Sequence, residues 1–79
     1  MYLAIINVEP LQGYQLLLTF DNGEKRIFDM KPYLDKGIFK ELRDEKMFKS
    51  VRVSFDSIEW SNQADIDPEL LYEDSKLCQ

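Results

Sequence analysis

Apolar and polar residues alternate along residues 14–20 (Tyr-Gln-Leu-Leu-Leu-Thr-Phe) and 24–30 (Glu-Lys-Arg-Ile-Phe-Asp-Met), on either side of Asp21-Asn22-Gly23. A period of two marks a half-buried strand, and Asn-Gly between two such runs marks a hairpin. The pattern also selects a register. A two-residue loop at Asn22-Gly23 sets Leu16 opposite Asp29 and Tyr14 opposite Lys31, mixing buried and solvated side chains on one face. A three-residue loop with Gly23 left-handed sets Leu16 opposite Phe28 and Tyr14 opposite Met30. It gathers Tyr14, Leu16, Leu18, Phe20, Phe28 and Met30 on one face and leaves Gln15, Thr19, Lys25 and Asp29 on the other. The second register is the one predicted, with Leu17 and Ile27 paired on the outer face and in want of a cover.

Residues 2–8 are rich in β-formers and read as a strand beside this hairpin, ending at Pro10, which stops ladder pairing. After Met30 the pattern changes. Pro32 starts a short helical turn, and Gly37 breaks it ahead of Ile38-Phe39-Lys40-Glu41-Leu42. Asp44 is placed to cap a second short helix that buries Met47, Phe48 and Val51. Val51, Val53 and Phe55 then alternate with Arg52, Ser54 and Asp56. A turn at Asp56-Ser57 brings Ile58 opposite Phe55 and Trp60 opposite Val53, with all of these apolar residues facing inward. Asp67-Pro68-Glu69 supplies a capping carboxylate, a proline at the first helical position and an acid in the first turn of a last short helix. The elements predict an α+β fold over residues 1–79, one domain. It has an antiparallel sheet of about five strands, two hairpins plus an N-terminal strand, with short helices between the hairpins and at the C-terminus.

A chain of 79 residues and 9.4 kDa leaves too little for a second domain. Surface scaling gives about 5,000 Å² when folded, so the core is thin and a partner chain or a homodimer would add useful burial. The longest apolar run, residues 2–6, is shorter than a spanning helix or a secretory signal requires, so no membrane association or export by that route is expected. The single cysteine, Cys78, cannot close an internal disulfide and reads as part of a frayed tail in a reducing compartment. Both points favour the cytoplasm.

The chain contains no histidine, which removes the usual general base and the usual partner of a nucleophilic serine or cysteine. Its glycines are too far apart for a phosphate-binding loop, and it has no Cys/His set for zinc. Asp65, Asp67 and Glu69 recur every second residue, but Pro68 interrupts them and Asp67 is already explained as a cap. No catalytic residue, metal site or cofactor is expected, and a carboxylate- or metal-dependent enzyme centred on Asp65 stands as the least favoured reading.

Charge is more informative. The formal net charge is −5, which opposes binding to nucleic acid by the chain as a whole. The charges are segregated: residues 25–52 carry nine bases against five acids, whereas residues 53–79 carry seven acids against one base. Lys36, Lys40 and Arg43 recur at helical spacing and form a candidate basic stripe for a phosphate backbone or an acidic protein patch, although Glu41, Asp44 and Glu45 interleave with them. Trp60 falls where the alternation points inward and reads as core.

From Trp60 the chain runs Trp60-Ser61-Asn62-Gln63-Ala64-Asp65-Ile66-Asp67-Pro68-Glu69-Leu70-Leu71-Tyr72. This resembles the tryptophan–asparagine–glycine–alanine–aspartate signature, followed by proline and leucine–tyrosine, of the bacterial domain of unknown function 2442 family. Phe20, Gly23, Glu24 and Asp29 match that family's hairpin, and Gly37, Phe39, Leu42, Asp44, Phe48 and Val51 resemble its middle segment. Gln63 stands where the family usually has glycine. The resemblance implies a small bacterial protein, often encoded beside another small protein in a toxin–antitoxin arrangement. By that analogy the chain is the antitoxin-like, partner-binding component. Trp60, Asp67, Pro68 and Tyr72 are its structural signature, with Trp60 packed on the hairpin face; Asn62 and Asp65 are expected to organise the turn into the last helix and are also candidate binding residues. The leading expectation is a non-catalytic regulatory protein that binds a small cognate protein; a nucleic-acid-associated regulator using Lys36, Lys40 and Arg43 is the alternative.

Overall fold

Gly23 sets the register of the central hairpin. In the computed structural model, which describes residues 4–78, β2 (Gln15–Phe20) pairs antiparallel with β3 (Lys25–Asp29), with Leu16 opposite Phe28 and Leu17 opposite Ile27. This is the register of the three-residue loop. Gly23 has φ +90°. Its N–H donates to the Phe20 carbonyl at 3.0 Å, and the Phe20 N–H donates to the Glu24 carbonyl at 2.9 Å. Tyr14, at φ +60°, lies outside the strand, but its carbonyl still accepts the Met30 N–H at 2.9 Å. Leu16, Leu18, Phe20, Phe28 and Met30 are buried on the predicted face.

β1 (Ile5–Leu11) covers the free side of β2. Residues 2 and 3 of the predicted strand lie outside the described residues. The strand does not stop at Pro10 as expected but continues to Leu11, with Pro10 opposite Leu16. β1 is the edge strand of its sheet, where a missing N–H is tolerated. The predicted frayed tail is corrected as well. β7 (Lys76–Leu77) pairs with Arg26 and Ile27, and the Cys78 N–H donates to the Lys25 carbonyl at 2.7 Å. The first sheet therefore runs β1-β2-β3-β7. Leu17 and Ile27 are half-buried on its outer face.

Between the hairpins the chain forms two 3₁₀ turns, Lys31–Tyr33 and Gly37–Arg43, and a single α-helical turn, α1 (Glu45–Phe48). Gly37 adopts φ +50° at the start of the second turn. Asp44 caps α1 as predicted, its side chain accepting the Lys46 N–H at 3.2 Å. Phe48 is buried and Met47 and Val51 are half-buried.

The second hairpin departs from expectation. β4 (Arg52–Ser54) pairs with β5 (Ser57–Glu59), with Val53 opposite Ile58 and Ser54 opposite Ser57. The turn is Phe55-Asp56, one residue earlier than predicted, so Ile58 does not face Phe55 and Trp60 does not face Val53. The cause is backbone twist. Phe55 and Asp56 both have positive φ, +48° and +67°, the mark of a type I′ turn, whose twist matches that of the flanking strands. Phe55, expected inward, sits at the tip and is 98% exposed. β6 (Asp65–Ile66) adds to β5 and completes a second antiparallel sheet of order β4-β5-β6. The five expected strands thus divide between two sheets, each extended by a two-residue strand. The Ile5 N–H links the sheets by donating to the Asp56 carbonyl at 3.0 Å.

α2 (Pro68–Asp74) closes the fold. Asp67 accepts the Glu69 N–H at 2.9 Å and Pro68 opens the helix, as predicted, and Leu71 is fully buried. Trp60 joins the hairpin residues Leu16, Leu18, Phe20 and Phe28 in one core cluster.

Candidate functional site

Residues 60–69 hold most of the side chains singled out in the sequence. They begin with a turn that repeats the one at Gly23. The Trp60 N–H donates to the Ala64 carbonyl and the Gln63 N–H to the Trp60 carbonyl, both at 2.9 Å. Asn62 Oδ1 accepts the Ala64 N–H at 3.0 Å, just as Asn22 Oδ1 accepts the Glu24 N–H at 3.0 Å. Asn62 Nδ2 also donates to Glu41 Oε1 at 3.1 Å and so ties the turn to the 3₁₀ segment. Trp60 is fully buried. Its Nε1–H donates to the Phe48 carbonyl at 3.0 Å, and its ring meets that of Phe39 edge-on. Asn62 and Trp60 therefore serve the fold.

Asp65 does not organise the turn. It lies on β6 opposite Glu59, which lies opposite Arg52. The Arg52 guanidinium reaches Glu59 Oε1 at 3.3 Å and leaves Asp65 as the outer acid of a three-strand row. Because Trp60 and Ala64 form a hydrogen-bonded pair, the alternation of antiparallel pairing turns the Asp65 peptide N–H and carbonyl away from β5, toward the open edge. Over β5 and β6 runs a groove of about 570 Å³ between the Phe55 turn and the start of α2, with Glu59, Asp65, Asp67 and Glu69 in its lining. Sequence reasoning missed Phe55. The sequence carried no signal for it: the structural pairing of Ser54 with Ser57 is what places Phe-Asp in a two-residue loop.

The basic residues lie on a separate segment. Lys40 and Arg43 are three apart on a 3₁₀ turn and so lie one above the other, with Lys36 at its N-terminal boundary. All three are exposed, and Lys36 Nζ stands 5.5 Å from the centre of the Tyr33 ring. The structure brings none of them to the groove lining.

Tyr72 belongs to a third cluster, which fastens α2 to the first hairpin. Its hydroxyl donates to both Glu24 oxygens at 3.1 Å, and its ring lies beneath the Arg26 guanidinium at 4.0 Å and edge-on to Phe20. Arg26 also donates to Glu24 at 2.9 Å and to the Ser75 carbonyl at 3.2 Å. Desolvation pushes the Glu24 pKa up, but hydrogen bonds from Arg26, Tyr72 and Asn22 and the Arg26 charge outweigh it, and the carboxyl is held below its ordinary value. Desolvation likewise lowers the pKa of Arg26, and its contacts with Tyr72 and Glu24 more than restore it. The hydrogen bond from Tyr33 to Asp74, at 2.8 Å, raises the Tyr33 phenol, with burial adding to the effect.

Among the described residues no group of three or more His, Cys, Asp or Glu side chains is placed to hold a metal ion. No helix among them is long and apolar enough to cross a membrane. Cys78 is exposed and free. In comparisons with known proteins, a family model described as "Protein of unknown function (DUF2442)" matches residues 5–76. Neither the curated proteins nor the solved structures gave a match.

Proposed function

The chain belongs to the DUF2442 family, and on that premise we propose that it is a non-catalytic binding protein whose partner is another small protein, in the manner of an antitoxin. The observation that carries this reading is Phe55. A large aromatic ring stands 98% exposed at the tip of a turn, on a backbone with φ +48° that side-chain-bearing residues seldom adopt. It adds nothing to the core, and its position within a two-residue turn is one where asparagine or glycine would serve the fold better. Burial of such a ring is worth about 1.5–3 kcal/mol, available when a partner covers it. Aromatic anchors of this kind concentrate binding energy at protein interfaces.

The family resemblance supplies the expected partner, the small protein encoded by the adjacent gene, and the short apolar runs and single cysteine of the sequence favour the cytoplasm as the place where the two meet. Co-expression of the two with a tag on one tests the reading. A stoichiometric complex that survives gel filtration is expected. A lone monodisperse chain with no affinity for that neighbour overturns it.

A further inference from the structure

We propose that the outer edge of β6 receives an extended, lysine- or arginine-bearing segment of a partner protein, whose side chains reach over Asp65 into the groove that Phe55 rims. This deepens the reading above, because it names the surface and the chemistry of what binds there. Three observations converge on it. β6 is the last strand of its sheet, and the peptide groups of Asp65 point outward, so one more strand can pair there. The row across the sheet reads Arg52, Glu59, Asp65: one base, then two acids facing each other across neighbouring strands. Like charges in that relation repel, and a cation beside Asp65 on an added strand would restore the alternation that Arg52 begins. Asp67 and Glu69 extend the negative lining, and the sequence contains no lysine or arginine between Val53 and Ser75 to neutralise it. Phe55 stands at the rim of the same groove, where an apolar side chain of the incoming segment would meet its ring.

A second copy of the chain fits poorly. Its clustered cations Lys36, Lys40 and Arg43 sit on and beside a 3₁₀ turn rather than an extended strand, and Lys76 is already committed to β7. The negative lining repels a phosphate backbone. A partner protein with a basic, extended segment remains.

The test uses the full chain and a synthetic peptide of alternating lysine and valine, with one of alternating glutamate and valine as control. Backbone amide NMR shifts should map the lysine peptide to residues 54–59 and 64–69. Affinity should fall as salt rises, and the control peptide should not bind. Phe55→Asn suits a type I′ turn better than the native residue, so the fold persists, and it should weaken binding about tenfold, the scale of an aromatic hot spot. The pair Glu59→Gln and Asp65→Asn should weaken it further and flatten the salt dependence. Shifts confined to other surfaces, equal binding of the glutamate peptide, or indifference to these substitutions overturns the proposal. A self-dimer in sedimentation equilibrium that Phe55→Asn dissolves assigns the groove to a second copy and overturns it as well. The outcome separates from the antitoxin reading. If the neighbouring gene's product binds wild type and a variant combining Phe55→Asn, Glu59→Gln and Asp65→Asn equally, the groove assignment falls and the reading stands. If that product does not bind while the lysine peptide still occupies the groove, the reading falls and the groove stands.

Discussion

Gln63 occupies, in the turn after Trp60, the place that Gly23 occupies in the turn after Phe20. The two turns share their pair of backbone hydrogen bonds and an asparagine that caps from within, and φ is +72° at Gln63 and +90° at Gly23. Left-handed backbone costs a side-chain-bearing residue about 1–2 kcal/mol. Glycine gives back about 0.4–1 kcal/mol through the greater freedom of the unfolded chain. Gln63→Gly is therefore expected to stabilise the protein by about 0.5–1 kcal/mol in urea unfolding, and Gly23→Gln to destabilise it by a similar amount. A loss of stability for Gln63→Gly would mean that the glutamine side chain holds the turn by other means.

Trp60 fills the centre of the core and also satisfies the Phe48 carbonyl through its Nε1–H. Trp60→Phe removes both part of the ring and the donor. The lost packing and the orphaned carbonyl together are expected to cost about 2–4 kcal/mol. In a domain of this size each kcal/mol moves Tm by roughly 4–8 °C, so calorimetry should record a fall of more than about 8 °C.

The Glu24–Arg26–Tyr72 cluster predicts an acid limb in the stability curve. The folded state holds the Glu24 carboxyl below its ordinary value of 4.5. Such a group contributes stability that is fully present above the unfolded value and is lost as the pH falls through the folded one. Stability should accordingly decline from about pH 4.5 downward. Glu24→Gln should lower stability at neutral pH and make that decline shallower, as read by urea midpoints measured across the acid range. An acid limb as steep as that of the wild type would assign the loss to other carboxylates.

How far these features could be read beforehand depended on their range along the chain. The first hairpin was legible because Gly23 is a residue for which positive φ carries no steric penalty, and because only one register keeps Leu16, Phe28 and Met30 on one face. The caps at Asp44 and Asp67 were legible because a capping carboxylate and the N–H that donates to it lie two residues apart. The second hairpin was not, since Val51, Val53 and Phe55 alternate equally well under either turn, and Phe-Asp lacks the Asn-Gly signature of a type I′ turn. Strands as short as Asp65–Ile66 and Lys76–Leu77 carry no periodicity at all. The signature residues were legible, but their roles came from contacts distant in sequence: Trp60 with Phe48, Tyr72 with Glu24, and Asn62 with Glu41.

Asn62 and Asp65, three positions apart in the family signature, are separated by the structure into a residue that serves folding and one that is exposed to solvent. Asn62 accepts the Ala64 N–H and donates to Glu41, so Asn62→Ala removes a local cap and is expected to cost about 1 kcal/mol. Asp65 is exposed and faces Glu59 across the strand pair, so neutralising it relieves a repulsion. Asp65→Asn should leave stability unchanged or raise it by a few tenths of a kcal/mol, roughly the value of one cross-strand pair. The contrast between these two substitutions can be read from the same urea titration. If Asp65→Asn destabilised the protein as much as Asn62→Ala, the carboxylate would belong to the fold, and the outer acid of the Arg52–Glu59–Asp65 row would no longer be free to meet a cation from outside.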